Sequence, residues 1–202
     1  MKTSPKIRNV LNLITGNLKE EGIPYSIIGA LALGVYGLPR FTADIDLLTE
    51  GRYWTLISPI MKRLGYTCFQ KTKSFAQFDS ELGVYGKIDF MFVNTLEGTD
   101  ILKSSIVMKD ELLGDHPVIQ PTDYIVLKLM AIANNPERPS KDEGDILEVL
   151  RLSKSGLISK NFHILDRDRI YVFAERFGQR ERVASLFHKI SRDPNNPEKF
   201  EL

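Results

Sequence analysis

The eleven residues "RFTADIDLLTE", 40 to 50, decide how this chain is read. Ala43, Ile45, Leu47 and Leu48 have the apolar character of a buried strand, yet Asp44 and Asp46 interrupt them. Side chains alternate faces along a strand, so residues two apart share one. Asp44 and Asp46 are therefore expected on one face with Thr42 and Arg40, while Ile45 and Leu47 point into a core. Their Cβ atoms would lie roughly 7 Å apart or slightly less. Partly desolvated carboxylates at that spacing repel and raise each other's proton affinity. A hard divalent cation with oxygen ligands reverses the cost. A lone D-x-D also occurs by chance, so the reading needs its surroundings.

Working outward, "GKIDFMFV" (86–93) is a second apolar strand with one acid, Asp89. If it lies beside the first, Asp89 completes a three-carboxylate cluster suited to two metal ions about 3.5–4 Å apart, for displacement at phosphorus. Asp89 would also be placed to take a proton from an attacking hydroxyl. Upstream, "SIIGALALGVYG" (26–37) reads as strand, Gly29, then a short helix closed by Gly37. A helix start offers free N–H groups and a positive dipole end to a phosphate, and glycine lets the backbone approach closely. The same string is also an ordinary strand-to-helix turn.

The remaining pattern is α/β in the first half and helical in the second. Ser4 and Pro5 open a helix whose apolar stripe is Ile7, Val10, Leu11, Ile14 and Leu18, ended by Gly22. Residues 53–64 predict a helix kinked or divided at Pro59. "GYTCFQK" and "SFAQFDS" predict strands, the latter joined to "GKIDFMFV" by a polar loop around Glu81 and Gly83. "HPVIQP" reads as an extended link. Beyond it come helices, with a capping box at Ser140 and Glu143, a C-cap at Gly156, and two more helices near 166–177 and 179–190 separated by Gly178. The tail "DPNNPEKFEL" reads as frayed. The domains expected are 1–115 and 116–202.

The chain has 202 residues with 27 basic and 26 acidic side chains, a net charge of +1, and one cysteine. That length supports a core, and the balance argues neither for nor against nucleic acid. A single cysteine excludes an internal disulfide framework and fits a reducing compartment. No signal-peptide pattern or membrane-length apolar run is read, so a cytoplasmic protein is expected. His116, His163 and His188 show no metal-ligand spacing.

Taken together, "IGALALGVYGLPRFTADIDLL" (28–48) and Asp89 resemble the polymerase-β-like nucleotidyltransferase superfamily. The string is similar to the AbiEii-like and minimal nucleotidyltransferase branch, whose members read G-G-x-A and then Y-G-x-P-R-x-T-x-D-I-D-L. The resemblance implies an α+β fold: a mixed sheet flanked by helices, followed by a helical domain, with the nucleotide held between the two. It implies two Mg²⁺ ions on Asp44, Asp46 and Asp89, and an NTP whose triphosphate lies against Gly29 and Ala30. An acceptor hydroxyl of RNA, a protein or a small molecule attacks the α-phosphorus, and pyrophosphate leaves. Ala30 departs from the family's Gly or Ser and removes a hydroxyl that could bind phosphate.

The resemblance extends to Lys128, expected to face phosphates, although a lysine there also snorkels to solvent readily. The K-D-x-x-D-L pattern matches Lys141, Asp142, Asp145 and Ile146, and Asp145 is expected to support Lys128 or the rim of the site. Arg40 is either a clamp on phosphate or acceptor, or half of a surface salt bridge. An antitoxin-like partner is implied by analogy alone. Two rivals remain: a degenerate member that binds nucleotide or partner without turnover, and a two-metal nuclease. The arginine-rich "RDRIYVFAERFGQRER" (167–182) is either a solvated helix face or an RNA-facing patch.

Overall fold

A computed structural model of the chain describes residues 5–80, 86–110, 113–135 and 139–191. The chain forms two compact units, Met1–Gln120 and Pro121–Leu202. Ser4, the loop at Glu81 and Gly83, and the tail from 193 lie outside the described residues.

The first unit is built on a seven-stranded mixed sheet in the order β3-β4-β5-β2-β1-β7-β6. Helix α1 (Pro5–Glu20) precedes it and buries Val10, Leu11, Ile14 and Leu18 at helical spacing. Each such side chain contributes about 1.5–3 kcal/mol when fully buried. Strand β1 (Ser26–Ile27) is followed by α2 (Gly29–Tyr36), and the α2 C-terminus closes on Gly37 as expected. β2 (Ile45–Glu50) lies at the centre, antiparallel to β1 and parallel to β5 (Lys87–Val93). Helix α3 (Trp54–Arg63) carries Pro59 inside it, and β3 (Tyr66–Lys71) and β4 (Phe75–Ser80) form the hairpin that pairs onto β5.

Two sequence readings change here. The strand expected from Phe41 begins only at Ile45. The reason is local: Thr42 Oγ1 donates to the Asp44 carbonyl at 3.1 Å and accepts from the Asp44 N–H at 3.2 Å. A hydroxyl bonded to the backbone two residues on makes a turn that competes with the sheet ladder. Gly86 adds to this, because a Cβ there would run into the Ala43 carbonyl oxygen.

The second change concerns the segment after β5. Helix α4 (Leu96–Lys103) leads into a hairpin, β6 (Ile106–Asp110) and β7 (Gly114–Val118). β7 pairs in parallel with β1, so His116–Val118 of the segment read as a link is a strand of the sheet, and only Ile119 and Gln120 stand between it and α5. Pro117 is tolerated there beside the edge strand β6, and Tyr36 Oη donates to the Ile119 carbonyl at 2.7 Å, tying α2 to the end of β7. A buried set accompanies the hairpin. Tyr25 Oη lies 3.0 Å from His116 Nδ1, while Nε2 lies 3.0 Å from Asn12 Oδ1 and 3.2 Å from the Leu113 carbonyl. The carbonyl acceptors call for a proton on Nε2, and in the neutral ring Nδ1 then accepts from Tyr25. Burial, then the charge of Lys19, push His116 below the usual imidazole value, against the Leu113 hydrogen bond and Asp115, which pull it up.

The second unit consists of α5 (Pro121–Asn134), α6 (Pro139–Lys154), α7 (Arg167–Arg176) and α8 (Arg180–Ser191). α5 packs on α6 and α7, and α8 packs on α6 and α7. Asp166 caps α7 by accepting from the Arg169 N–H at 2.8 Å. α6 starts at Pro139, so Ser140 lies within the helix rather than before it. Among the described residues no helix is long and apolar enough to cross a membrane.

Candidate active site

Sheet register brings two of the predicted acids together. Asp46 on β2 is the direct register partner of Asp89 on β5, and Asp89 is in turn the partner of Gln77 on β4. Register partners present side chains on one face, on strands roughly 4.8 Å apart. Gln77 Nε2 donates to Asp89 Oδ2 at 3.0 Å. That bond orients the Asp89 carboxylate without adding charge. Gln77 was missed by sequence reading. Its only signal is the alternation of β4, where Ala76, Phe78 and Ser80 are buried and Gln77 takes the opposite face.

Gly29 forms the next wall. Its φ of 63° is in the left-handed region, and a Cβ there would lie 2.6 Å from Asp46 Cγ and nearer still to Oδ2. Glycine is thus required twice, for backbone conformation and for the close approach of Asp46. The ladder bond from the Ile28 N–H to the Asp46 carbonyl, 3.1 Å, fixes that approach. The start of α2 therefore stands against the Asp46 carboxylate. Ile28 and Gly29 supply no side-chain cap, which leaves first-turn N–H groups for other acceptors. Ala30 is buried at this start.

Asp44 is placed differently. It is exposed, in the Thr42 turn ahead of β2. Among the described residues no group of three or more His, Cys, Asp or Glu side chains is gathered closely enough to hold a metal ion. The three-carboxylate cluster expected from sequence is thus a register pair, Asp46 and Asp89, with Asp44 apart from it. The pair still fits Mg²⁺ in its common mode, in which one or two carboxylates share the ion with water and substrate phosphates. The Gly29 backbone lies directly against the Asp46 member of that pair, with no room for a Cβ between them.

Of the other predicted residues, Thr42 orders the Asp44 turn and Arg40 is half-buried in the same loop. Lys128 and Asp145 lie in the helical unit. Lys128 Nζ is 2.7 Å from Asp142 Oδ1 and 2.7 Å from Asp145 Oδ2, and Tyr124 Oη donates to Asp145 Oδ2 at 3.3 Å. Both carboxylates are almost fully buried, and Lys128 keeps 15% of its side chain exposed. The arginine-rich segment is largely engaged within its own unit: Arg169 with Asp123 at 3.0 Å, Arg180 with Glu175 at 2.8 Å, and Arg182 with Glu143. Arg167 stacks 4.4 Å from the Phe187 ring centroid.

With this geometry in hand, comparison with known proteins is informative at the level of fold. No family model and no curated protein sequence matches the chain. Among solved structures, the antibiotic-resistance factor ANT(2'')-Ia in solution is 17% identical, covering 90% of this chain and 95% of its own, with a TM-score of 0.58. Its crystal structure with adenylyl-2"-tobramycin is 16% identical over 86% of this chain and 98% of that one, also at 0.58. An antigenic nucleotidyltransferase-like protein from Paracoccidioides brasiliensis is 14% identical over 92% and 93%, at 0.52. The fold is that of the nucleotidyltransferases: α+β, with a mixed sheet flanked by helices and helices following it.

Proposed function

We propose that the chain is a nucleotidyltransferase that moves an NMP from an NTP to an acceptor hydroxyl. The observation that carries this is the register pairing of Asp46 with Asp89 beside the Gly29 turn, on a fold shared with nucleotidyltransferases. Asp46 and Asp89, together with Asp44, would hold Mg²⁺, two ions being expected. Mg²⁺, when bound, supplies neutralisation of the charge that develops on the phosphoryl oxygens. The residues of this chain do the rest. The N–H groups of Gly29, Ala30 and the first turn of α2 hold the triphosphate by hydrogen bonds and dipole. Gln77 keeps Asp89 oriented, and Asp89 accepts the proton of the attacking hydroxyl. The hydroxyl oxygen forms the new bond to the α-phosphorus as the bond to pyrophosphate breaks. Arg40, beside Thr42, steadies phosphate or acceptor.

The string from Tyr36 to Leu47 supports membership of the AbiEii-like branch, and with it a cytoplasmic role as the active component of a toxin–antitoxin-type pair. The acceptor is a hydroxyl of RNA, of a protein or of a small molecule. A second reading, nucleotide binding without turnover, is favoured by Ala30 and by the separation of Asp44 from the pair. Incubation with each labelled NTP, Mg²⁺ and a cell extract tests the two. Label transferred to a macromolecule or small molecule, and lost in Asp46→Asn, is expected. Saturable NTP binding without transfer would establish the second reading instead.

A further inference from the structure

At the other end of β2 the first unit carries a second feature that the transfer reading does not use. β2 runs on from Asp46 to Glu50 and passes into the turn Gly51–Tyr53, so Asp46 and Glu50 lie roughly 13 Å apart at about 3.3 Å per residue. There a cleft of about 370 Å³ is lined by Gly51, Trp54, Lys71, Thr72, Lys73, Phe92 and Asn94, with no carboxylate among the described lining residues. Trp54, the single tryptophan of the chain, is half-buried. Its ring is backed by Phe78 at 5.9 Å and by the edge of Phe92 at 6.1 Å, which makes it a fixed wall. Lys71 Nζ stands 4.9 Å from the ring centroid. Asn94 Nδ2 donates to the Lys73 carbonyl at 2.9 Å, and the Phe92 N–H donates to the Ser74 carbonyl at 2.7 Å. Those two bonds pin the β3–β4 turn, and with it both lysines, beside the tryptophan.

We propose that this cleft binds a nucleotide unit, with a base against Trp54 and a phosphate between Lys71 and Lys73. A rigid aromatic wall beside two ammonium groups matches a ligand with a π-face and a negative charge one bond network away. An exposed lysine–aromatic contact is weak, so Lys71 gives up the ring face when a phosphate draws its ammonium group. Thr72 and Asn94 add polar groups at the rim. The chemistry is shared by a free nucleotide and by a residue within single-stranded RNA. The site is independent of the transfer reading, since it uses neither Asp46 nor Asp89.

Trp54 is its own reporter. The full-length protein is titrated with a short single-stranded oligouridylate and, separately, with UMP, following tryptophan fluorescence. Quenching is expected, weakened about tenfold or more in the double variant Lys71→Gln, Lys73→Gln. The slope of log affinity against log salt should fall by about 1.4 in that variant, ~0.7 for each lost phosphate contact on a single strand. Quenching by the oligonucleotide at much lower concentration than by UMP identifies a strand as the occupant; equal potency per nucleotide identifies the free nucleotide. Both lysines are exposed, so the variant is expected to fold, which circular dichroism checks. No quenching by either probe, or quenching that survives the double variant unchanged, overturns the proposal. Equal quenching by an oligoglutamate of the same length overturns it too. Asp46→Asn should quench normally; loss of the signal there would assign it to the Asp46–Asp89 site and defeat the inference, whatever becomes of the transfer reaction.

Discussion

Both units set two aspartates side by side, and the groups placed against them differ. In the helical unit Asp142 and Asp145 project from one face of α6, three residues apart, and Lys128 from α5 reaches both at 2.7 Å. The counter-charge belongs to the chain, and both carboxylates are buried while Lys128 keeps 15% of its side chain exposed. In the sheet unit Asp46 and Asp89 meet through strand register, with a neutral amide from Gln77 on one and the open Gly29 turn against the other. Asp46 and Asp89 are half-buried as residues, although Asp89 Oδ1 is itself buried. A carboxylate pair is thus not by itself a sign of function. The surroundings differ: an ammonium group in the helical unit, a neutral amide and a glycine turn in the sheet unit.

The comparison breaks most readily at the sheet pair. Asp46→Asn should lower nucleotidyl transfer by about 10³-fold or more, since metal-assisted charge stabilisation is worth several kcal/mol at roughly 1.4 kcal/mol per tenfold. Its thermal midpoint should barely move. Calorimetry alongside the transfer assay checks both halves, and a large loss of stability with intact activity would reverse the roles assigned to the two pairs. The mirror experiment is Lys128→Met, which strands two buried carboxylates. Urea unfolding should show a loss of about 3–5 kcal/mol. Adding Asp142→Asn and Asp145→Asn should recover much of it; if the triple variant is no better than the single one, ion pairing is not what stabilises that contact.

Smaller effects sharpen the contrast. Gly29→Ala forces a left-handed residue with a Cβ against Asp46, costing about 1–2 kcal/mol from backbone conformation alone, and transfer should fall with it. Gln77→Leu should leave the unfolding midpoint nearly unchanged while lowering activity about 10–100-fold, the usual effect of losing a residue that orients a ligand. The smallest effect is pH-dependent and has nothing to do with either pair. His116 has its folded pKa lowered by burial. Its neutral form is the one the fold accommodates, so its contribution to stability is complete above the unfolded value of about 6.5 and is lost as pH falls below that toward the folded pKa. Urea midpoints at pH 7.5 and 5.5 should differ in this direction, and less so in His116→Gln. Equal slopes in the two proteins would assign the pH dependence elsewhere.

Much of this was legible along the chain. The helical stripe of α1, the Gly29-to-Gly37 helix, the paired strands around Asp89 and the four C-terminal helices all carry local periodicity and punctuation, and local signals survive without tertiary context. The start of β2 was misread because the Thr42 hydroxyl bonds the Asp44 backbone as well as a neighbouring strand could. β7 was misread because "HPVIQP" has two prolines and no alternation. It becomes a strand only because β1 and β6 flank it.

The sequence by itself determined which residue types were available for the chemistry: two acids in an apolar run, a third in a later strand, and a glycine before a short helix. Only the tertiary structure decided which of them meet. Register between β2 and β5 is a long-range hydrogen-bonded relation over more than forty residues of chain, and it pairs Asp89 with Asp46 rather than with Asp44. Pairing of β4 with β5 brings in Gln77, and in the helical unit the packing of α5 on α6 gives Lys128 to Asp142 and Asp145. Periodicity tells which face a side chain takes; pairing between distant segments tells what it faces.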